Sequence, residues 1–397
     1  MSRRCYAVLA FKEGTDMSAG DSRGSLRLRV TVIGLLVLVL AGIVVTPGMA
    51  APTGSCFGMT ATIAGSGLIV GTAGNDVIVG SAADDSIDGR AGNDLICGLG
   101  GNDRLVGGVG NDQVHGDAND DLVVGDVLAE TGDAAGSGND RLFGDDGADN
   151  LTGDSRTQFG NAMGGGNDQI FGGDGDDERM HGDSITLGGG DATGGGNDYM
   201  EGGDGDDGPI GDSVAPFEGT ATGAGNDVIL GGPGRFDFLI GDSEGTAAAN
   251  GNGGHDLLDM GADGGIVAIG DHNINAPDGG RANGAGNDRI IGGDSDFEFL
   301  IGDSSPADFS VTFAGNDSIS GRGGDDTIFG DNANFNLDAS AGTAGGNDSL
   351  DAGAGADTVR AGPRNDFLNG GPGSPDDCDG EAGRDAASGC EILAGIP

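Results

Sequence analysis

The chain has 397 residues, among them 88 Gly, 65 Asp or Glu, only 18 Lys or Arg and no Trp, for a net charge of −47. This lies far from ordinary globular usage, and a polyanion of such density repels nucleic acid and anionic lipid surfaces while attracting cations, so no nucleic-acid partner is expected. Composition alone is that of a disordered chain, and only the order of the residues argues otherwise.

Residues 1–50 read as an export leader. Arg23, Arg27 and Arg29 precede an uninterrupted apolar run from Val30 to Val45, and small residues follow up to Ala50. That is the order of a secretory signal peptide, and the 16-residue run is short for a helix that stays in a bilayer. Cleavage before Ala51 and retention as an N-terminal anchor both remain open, and Met17 is an equally good start. After cleavage the chain carries 12 Arg, no Lys and 62 Asp or Glu, a net charge of −50. No later apolar run matches the leader, so the remainder is expected outside the cell without membrane insertion.

Residues 51–70 form an expected N-terminal cap, in which TIAGSGLIV keeps the aliphatic Ile69 but has Gly67 in place of an acid. From Gly71 to Val124 six nonapeptides follow without a gap. Their sixth position is always aspartate (Asp76, Asp85, Asp94, Asp103, Asp112, Asp121) and their eighth always aliphatic (Ile78, Ile87, Ile96, Leu105, Val114, Val123). Compositional bias does not hold a register over 54 residues. Strand alternation turns the eighth position inward and the seventh and ninth outward.

The units resemble the G-G-x-G-x-D-x-U-x nonapeptide of RTX, or haemolysin-type calcium-binding, proteins, and Gly107–His115, GGVGNDQVH, matches every fixed position. The resemblance runs roughly from Gly71 to Cys390. It implies an all-β chain, a parallel β-roll or β-helix solenoid in which two nonapeptides make one turn, with multiple Ca²⁺ ions as cofactors. Calcium is a hard cation that takes six to eight oxygens. Gly74, Gly92, Gly101 and Gly110 are expected to turn carbonyls toward it, the sixth-position aspartates to supply anionic oxygens, and Asn75, Asn93, Asn102 and Asn111 to occupy left-handed backbone beside it. Stacked turns place carboxylates about 4.8 Å apart, and each pair repels by about 1 to 3 kcal/mol. Folding is therefore expected to require the ion.

Between residues 127 and 371 the unit lengthens. The leading aspartates Asp140, Asp168, Asp198, Asp227, Asp256, Asp288, Asp317 and Asp348 follow one another at intervals of 28 to 32 residues. Asp149, Asp177, Asp207, Asp326 and Asp357 belong to the intervening nonapeptides and, with the leading aspartates other than Asp256, complete the expected ligand set. Each unit also carries a Gly-Asp mark (Asp126, Asp154, Asp183, Asp212, Asp242, Asp271, Asp303, Asp331) followed by a polar excursion. The spacing predicts one roll turn plus a side loop each time, all on one edge, and such loops often form a binding face. Three units depart from the pattern: Arg179 and Pro209 stand at inward positions, and Asp237 is displaced by one residue, so frayed turns with weak metal binding are expected there. In the excursions Phe217, Phe309, Phe313 and Phe335 are read as local lids, with an exposed recognition stripe as the alternative.

Residues 372–397 form the expected C-terminal cap. Cys56, Cys97, Cys378 and Cys390 make an even count in an exported chain, and ends that cannot meet favour Cys56 with Cys97 and Cys378 with Cys390. Strict register separates Cys56 and Cys97 by about 9 to 10 Å along the stack; either Cys56 sits in a segment that folds back or the bridge is absent. His115, His181, His255 and His272 have no ligand spacing and are expected to be exposed. Arg90, Arg104, Arg141 and Arg289 are expected to relieve repulsion on the outer face.

Neither HExxH nor GxSxG occurs, and the DxDxDG-like fragment at Asp174 lacks the glycine of a calcium-binding EF-hand loop. The expectation is a secreted calcium-binding structural or interaction module, not an enzyme, whose excursions meet a cell-envelope or matrix partner. The alternative is a secreted hydrolase or protease with its active site in the excursions. Against it, only about 20 residues separate the leader from the first loop, with no span of about 100 residues free to form a catalytic core. The leader also departs from the toxin members of the resembled family, which use an uncleaved C-terminal signal.

Overall fold

The computed structural model describes residues 54–276, 280–295, 297–305, 311 and 313–396. The leader therefore lies outside the described residues, as does Phe309. Within them there is no helix. Two parallel 14-stranded sheets face each other across a narrow interior. The first begins with Ile63–Ala64 and Val77–Ser81 and ends with Ala386–Ser388; the second begins with Leu68–Val70 and ends with Ile392–Ala394. The chain alternates between them, so every turn contributes one strand to each. Register follows the repeat: Val77 lies beside Leu95, Gln113 beside Arg141 and Tyr199 beside Val228. This is a parallel β-roll.

The reason is local. The aliphatic two residues after each aspartate points inward, and these residues stack into one continuous core: Ile78, Ile87, Ile96, Leu105, Val114 and Val123 are fully buried, and Leu142, Leu151 and Ile170 continue the column. Each strand is too short to bury a face alone, so stability comes from stacking on neighbouring turns.

The irregular units keep this register. In the turn containing Arg179 the strand absorbs one extra residue, so Met180 fills the core beside Leu151 while Arg179 faces solvent. Pro209 is buried in the inward place beside Met180. Asp237 returns to register and Leu239 packs inward. The expected fraying is thus corrected, because the extra residue is taken up locally, after Asp177 in one unit and in the bend before Asp237 in the other.

The excursions are more than loops. Leu128–Ala129, Arg156–Thr157, Ile185–Thr186, Val214–Ala215, Glu244–Gly245 and Asn273–Ile274 form a six-stranded parallel sheet, and a second runs from Ala134–Ala135 to Ala282–Asn283. The first folds back over the outer face of the second long sheet. Ile210, Ile240, Ile269 and Ile301, ninth-position residues that turn away from the main core, are buried there with Ile185 and Val214. Phe217 and Phe313 are 60% and 56% exposed, so they do not pack as lids, whereas Phe335 is half-buried.

Both disulfides are present. The hairpin Ser55–Cys56/Met59–Thr60 folds back over the outer face of the first turns, where Cys56, Ala61, Val79 and Cys97 form a small core, and the Cys56 and Cys97 Cα atoms are 5.7 Å apart. Cys378 lies in the main core and is joined to Cys390. Two histidines correct expectation: His181 and His272 are buried, His181 because it occupies a ninth position beneath an excursion and His272 because it follows a buried Gly-Asp mark. His115 stacks on Phe143, and the Arg141 guanidinium lies over the Phe143 and Phe171 rings.

Candidate metal centres

Two glycine-rich edges join the long sheets, and an aspartate column runs along each. At the first edge stand Asp76, Asp94, Asp112, Asp140, Asp168, Asp198, Asp227, Asp256, Asp288, Asp317 and Asp348, continued by Asp366 and Asp385. At the second stand Asp85, Asp103, Asp121, Asp149, Asp177, Asp207 and Asp237, then Glu298, Asp326, Asp357 and Asp376. None exceeds 7% exposure. Ile266 breaks the second column, since its backbone, not an acid, bonds to the Asp237 carbonyl in the place between Asp237 and Glu298.

In most rungs one carboxylate oxygen has a defined job. The backbone N–H of Asp76 donates to Asp94 Oδ1 at 2.8 Å, Asp94 to Asp112 and Asp112 to Asp140 at 2.7 Å. Asp85 donates to Asp103 at 2.7 Å and Asp207 to Asp237 at 3.0 Å along the second edge. The other oxygen has none: Oδ2 of Asp94, Asp103, Asp112, Asp121, Asp140 and Asp149 is buried without a hydrogen-bond partner, and so are those of Asp168, Asp177, Asp198, Asp207 and Asp227. A buried, unpaired carboxylate oxygen is costly, and here such oxygens are stacked against like charges.

Burial sets the acidity accordingly. It raises Asp94 and Asp103 to about 6, Asp112 to about 7, and Asp121 and Asp140 to about 8, with the donated N–H bonds opposing and neighbouring carboxylates adding. Asp168 and Asp198 are pushed well above the ordinary carboxylate range by burial and then by the acids around them.

The glycines fit the same design through close approach. Gly110 has φ +153°, and a Cβ there would run into the Gly92 carbonyl oxygen. Gly92 and Gly101 also have positive φ, whereas Gly74, in the first turn, has open space around it and its carbonyl accepts the Thr72 hydroxyl. The asparagines are a correction. Asn75, Asn93, Asn102 and Asn111 are exposed and absent from the positive-φ residues; the left-handed positions are the second and fourth of the repeat, as at Arg90, Leu99 and Asn119. Their side chains bond along the solvent side instead, Asn75 Oδ1 accepting from Asn93 N–H at 3.0 Å, and so lie away from the buried carboxylates.

A third column was missed by sequence reasoning. The Gly-Asp marks Asp126, Asp154, Asp183, Asp212, Asp242, Asp271, Asp303 and Asp331 are all buried beside the first column. In the groups Asp126–Asp140–Asp154, Asp154–Asp168–Asp183, Asp183–Asp198–Asp212 and Asp212–Asp227–Asp242 one carboxylate oxygen from each residue lies within 4.8 Å of the others. Burial, aided by neighbouring acids, raises Asp126 and Asp331 to about 9. The signal was legible: the constant Gly-Asp puts an acid where the nonapeptide has its second glycine. Asp237, Asp256 and Glu298 likewise join the ligand set proposed from sequence.

A buried all-oxygen donor set of carboxyls, which give up their protons as a cation binds, suits a hard divalent cation, and the residues fit calcium. The fold and its edges together define a metal-binding parallel β-roll. The family model for the RTX calcium-binding nonapeptide repeat matches residues 64–96, 98–127, 134–155, 164–178, 221–235, 312–334, 343–376 and 351–386, and the chain is an RTX calcium-binding repeat protein. No curated protein and no solved structure gives a significant match.

Proposed function

We propose that the chain is a secreted, non-catalytic structural or interaction module that folds on binding several calcium ions. The observation that carries this reading is the buried second oxygen of most rungs, left without a partner at both edges. Bound calcium would supply positive charge between those oxygens, and the aspartates at the sixth positions with the Gly-Asp acids would hold it. The backbone N–H of each rung aims the neighbouring carboxylate, and the stacked glycines leave the carbonyls accessible. Two disulfides fit an oxidising compartment. The outward-facing excursion sheets, with Phe217 and Phe313 exposed, are the surface offered to an envelope or matrix partner.

The test is circular dichroism with calcium counting. At pH 9 the protein is expected to be unfolded or loosely collapsed in chelator and β-rich in millimolar calcium. Identical spectra in the two conditions, or no bound calcium, refute the reading.

A further inference from the structure

The two edges of the long units differ in a way the nonapeptide does not anticipate. At the second edge each turn contributes one acid, except the turn of Ile266, which contributes none. At the first edge, from Asp126 with Asp140 to Asp331 with Asp348, each turn contributes two, one from the leading aspartate and one from the Gly-Asp mark, and none of these is more than 3% exposed.

The added acid is held in place. Gly138 N–H donates to Asp154 Oδ1 at 3.1 Å, Gly196 N–H to Asp212 Oδ1 at 3.3 Å and Gly225 N–H to Asp242 Oδ1 at 3.3 Å. The opposite oxygen of Asp183, Asp212, Asp242, Asp303 and Asp331 is buried with no partner, and at Asp126 neither oxygen has one. These orphaned atoms face the leading aspartates: oxygens of Asp183, Asp198 and Asp212 lie within 4.8 Å of one another, and the arrangement repeats turn after turn.

Building on the calcium-dependent fold proposed above, we infer that the roll carries two classes of cation site, and that the double-acid edge forms a tight class holding one divalent oxygen-seeking cation per turn. The argument is charge balance. Two carboxylates per turn are neutralised by one divalent ion per turn, so that edge can fill completely without accumulating charge of either sign. One carboxylate per turn at the second edge is neutralised by an ion at every other turn, and filling every turn leaves a buried positive excess. Affinity of calcium sites rises with the number of anionic ligands when the site is preformed. The inserted excursion is what makes room for the additional acid, since it begins directly after the Gly-Asp.

The experiment is calcium titration by calorimetry, with equilibrium dialysis for the count, on the wild-type protein and two triple variants. One is Asp183→Asn/Asp212→Asn/Asp242→Asn at the double-acid edge; the other is Asp177→Asn/Asp207→Asn/Asp237→Asn at the single-acid edge of the same region. Wild type is expected to bind in two phases whose Kd values differ by at least about tenfold. The first variant is expected to lose three or so ions, on the order of one per removed charge, from the tight phase, and the second to lose ions from the weak phase only. The single variant Asp212→Asn, which shortens the tight phase alone, serves where a triple variant does not fold. A single phase in wild type, or equal losses from both phases in the two triple variants, overturns the two-class inference while leaving calcium-dependent folding intact. Absence of any calcium uptake by wild type overturns both.

Discussion

Asp94 accepts the backbone N–H of Asp76 through Oδ1 at 2.8 Å, while its Oδ2 is buried beside it without a donor. The same side chain therefore fixes the register of the turn before it and leaves one anionic oxygen facing the next. Register and metal affinity are consequences of one residue, so they cannot be separated by substitution at the aspartate itself.

The stability of the metal-free protein is expected to fall with rising pH. The folded-state values of Asp112, Asp121 and Asp348 lie at about 7, 8 and 9 against an unfolded 3.8. Raised values mean that the folded state binds protons more tightly, so its stability is full below pH 4 or so and is lost as pH rises through the folded values. In chelator, the β-signal is expected at pH 5 and to disappear by pH 9; in calcium it persists across that range. A chelated protein more folded at pH 9 than at pH 5 contradicts this assignment.

Glycine tolerance distinguishes close approach from mere flexibility. Gly110→Ala forces a methyl into the Gly92 carbonyl, whereas Gly74→Ala meets nothing within 4 Å. The first is expected to lower the thermal midpoint in calcium by several degrees and to weaken binding; the second is expected to leave both unchanged. Equal effects at the two sites count against stacked carbonyls as the reason for glycine.

The excursions are expected to behave as packed structure. Ile240 and Leu239 are both fully buried, one under the excursion sheet and one in the main core. Each truncation to Ala is expected to cost about 2 to 5 kcal/mol in urea unfolding with calcium present. A free side loop predicts a change within about 0.5 kcal/mol at Ile240.

Removing the Cys56–Cys97 bridge, which spans 41 residues, is expected to cost about 4 kcal/mol in the loop-closure model and to release the N-terminal hairpin to protease. Mass spectrometry of early cleavage products checks this, and a hairpin that stays protected in Cys56→Ala/Cys97→Ala contradicts it.

The roll was legible because aspartate and aliphatic alternate at fixed spacing, and Ile78 through Val123 need only strand geometry to face inward. The excursion sheets were not legible: Ala162–Met163 or Ile185–Thr186 carry no periodicity of their own and become strands only because an equivalent segment lies one turn away. The Gly-Asp acids were visible as a repeated mark, yet their meaning depends on the chain returning after the excursion to set Asp168 near Asp154. Asn75 misled because asparagine suits both left-handed backbone and side-chain ladders, and residue identity does not choose between them.

In both long sheets each described strand pairs only with the strands of the adjacent turns, so loosening starts at a terminus and travels inward like a zip. The two covalent ties sit at those termini, Cys56 with Cys97 and Cys378 with Cys390. Under tension, or after a brief loss of ions in a dilute medium, the interior rungs are held between clamped ends and can re-form without a fresh search for alignment.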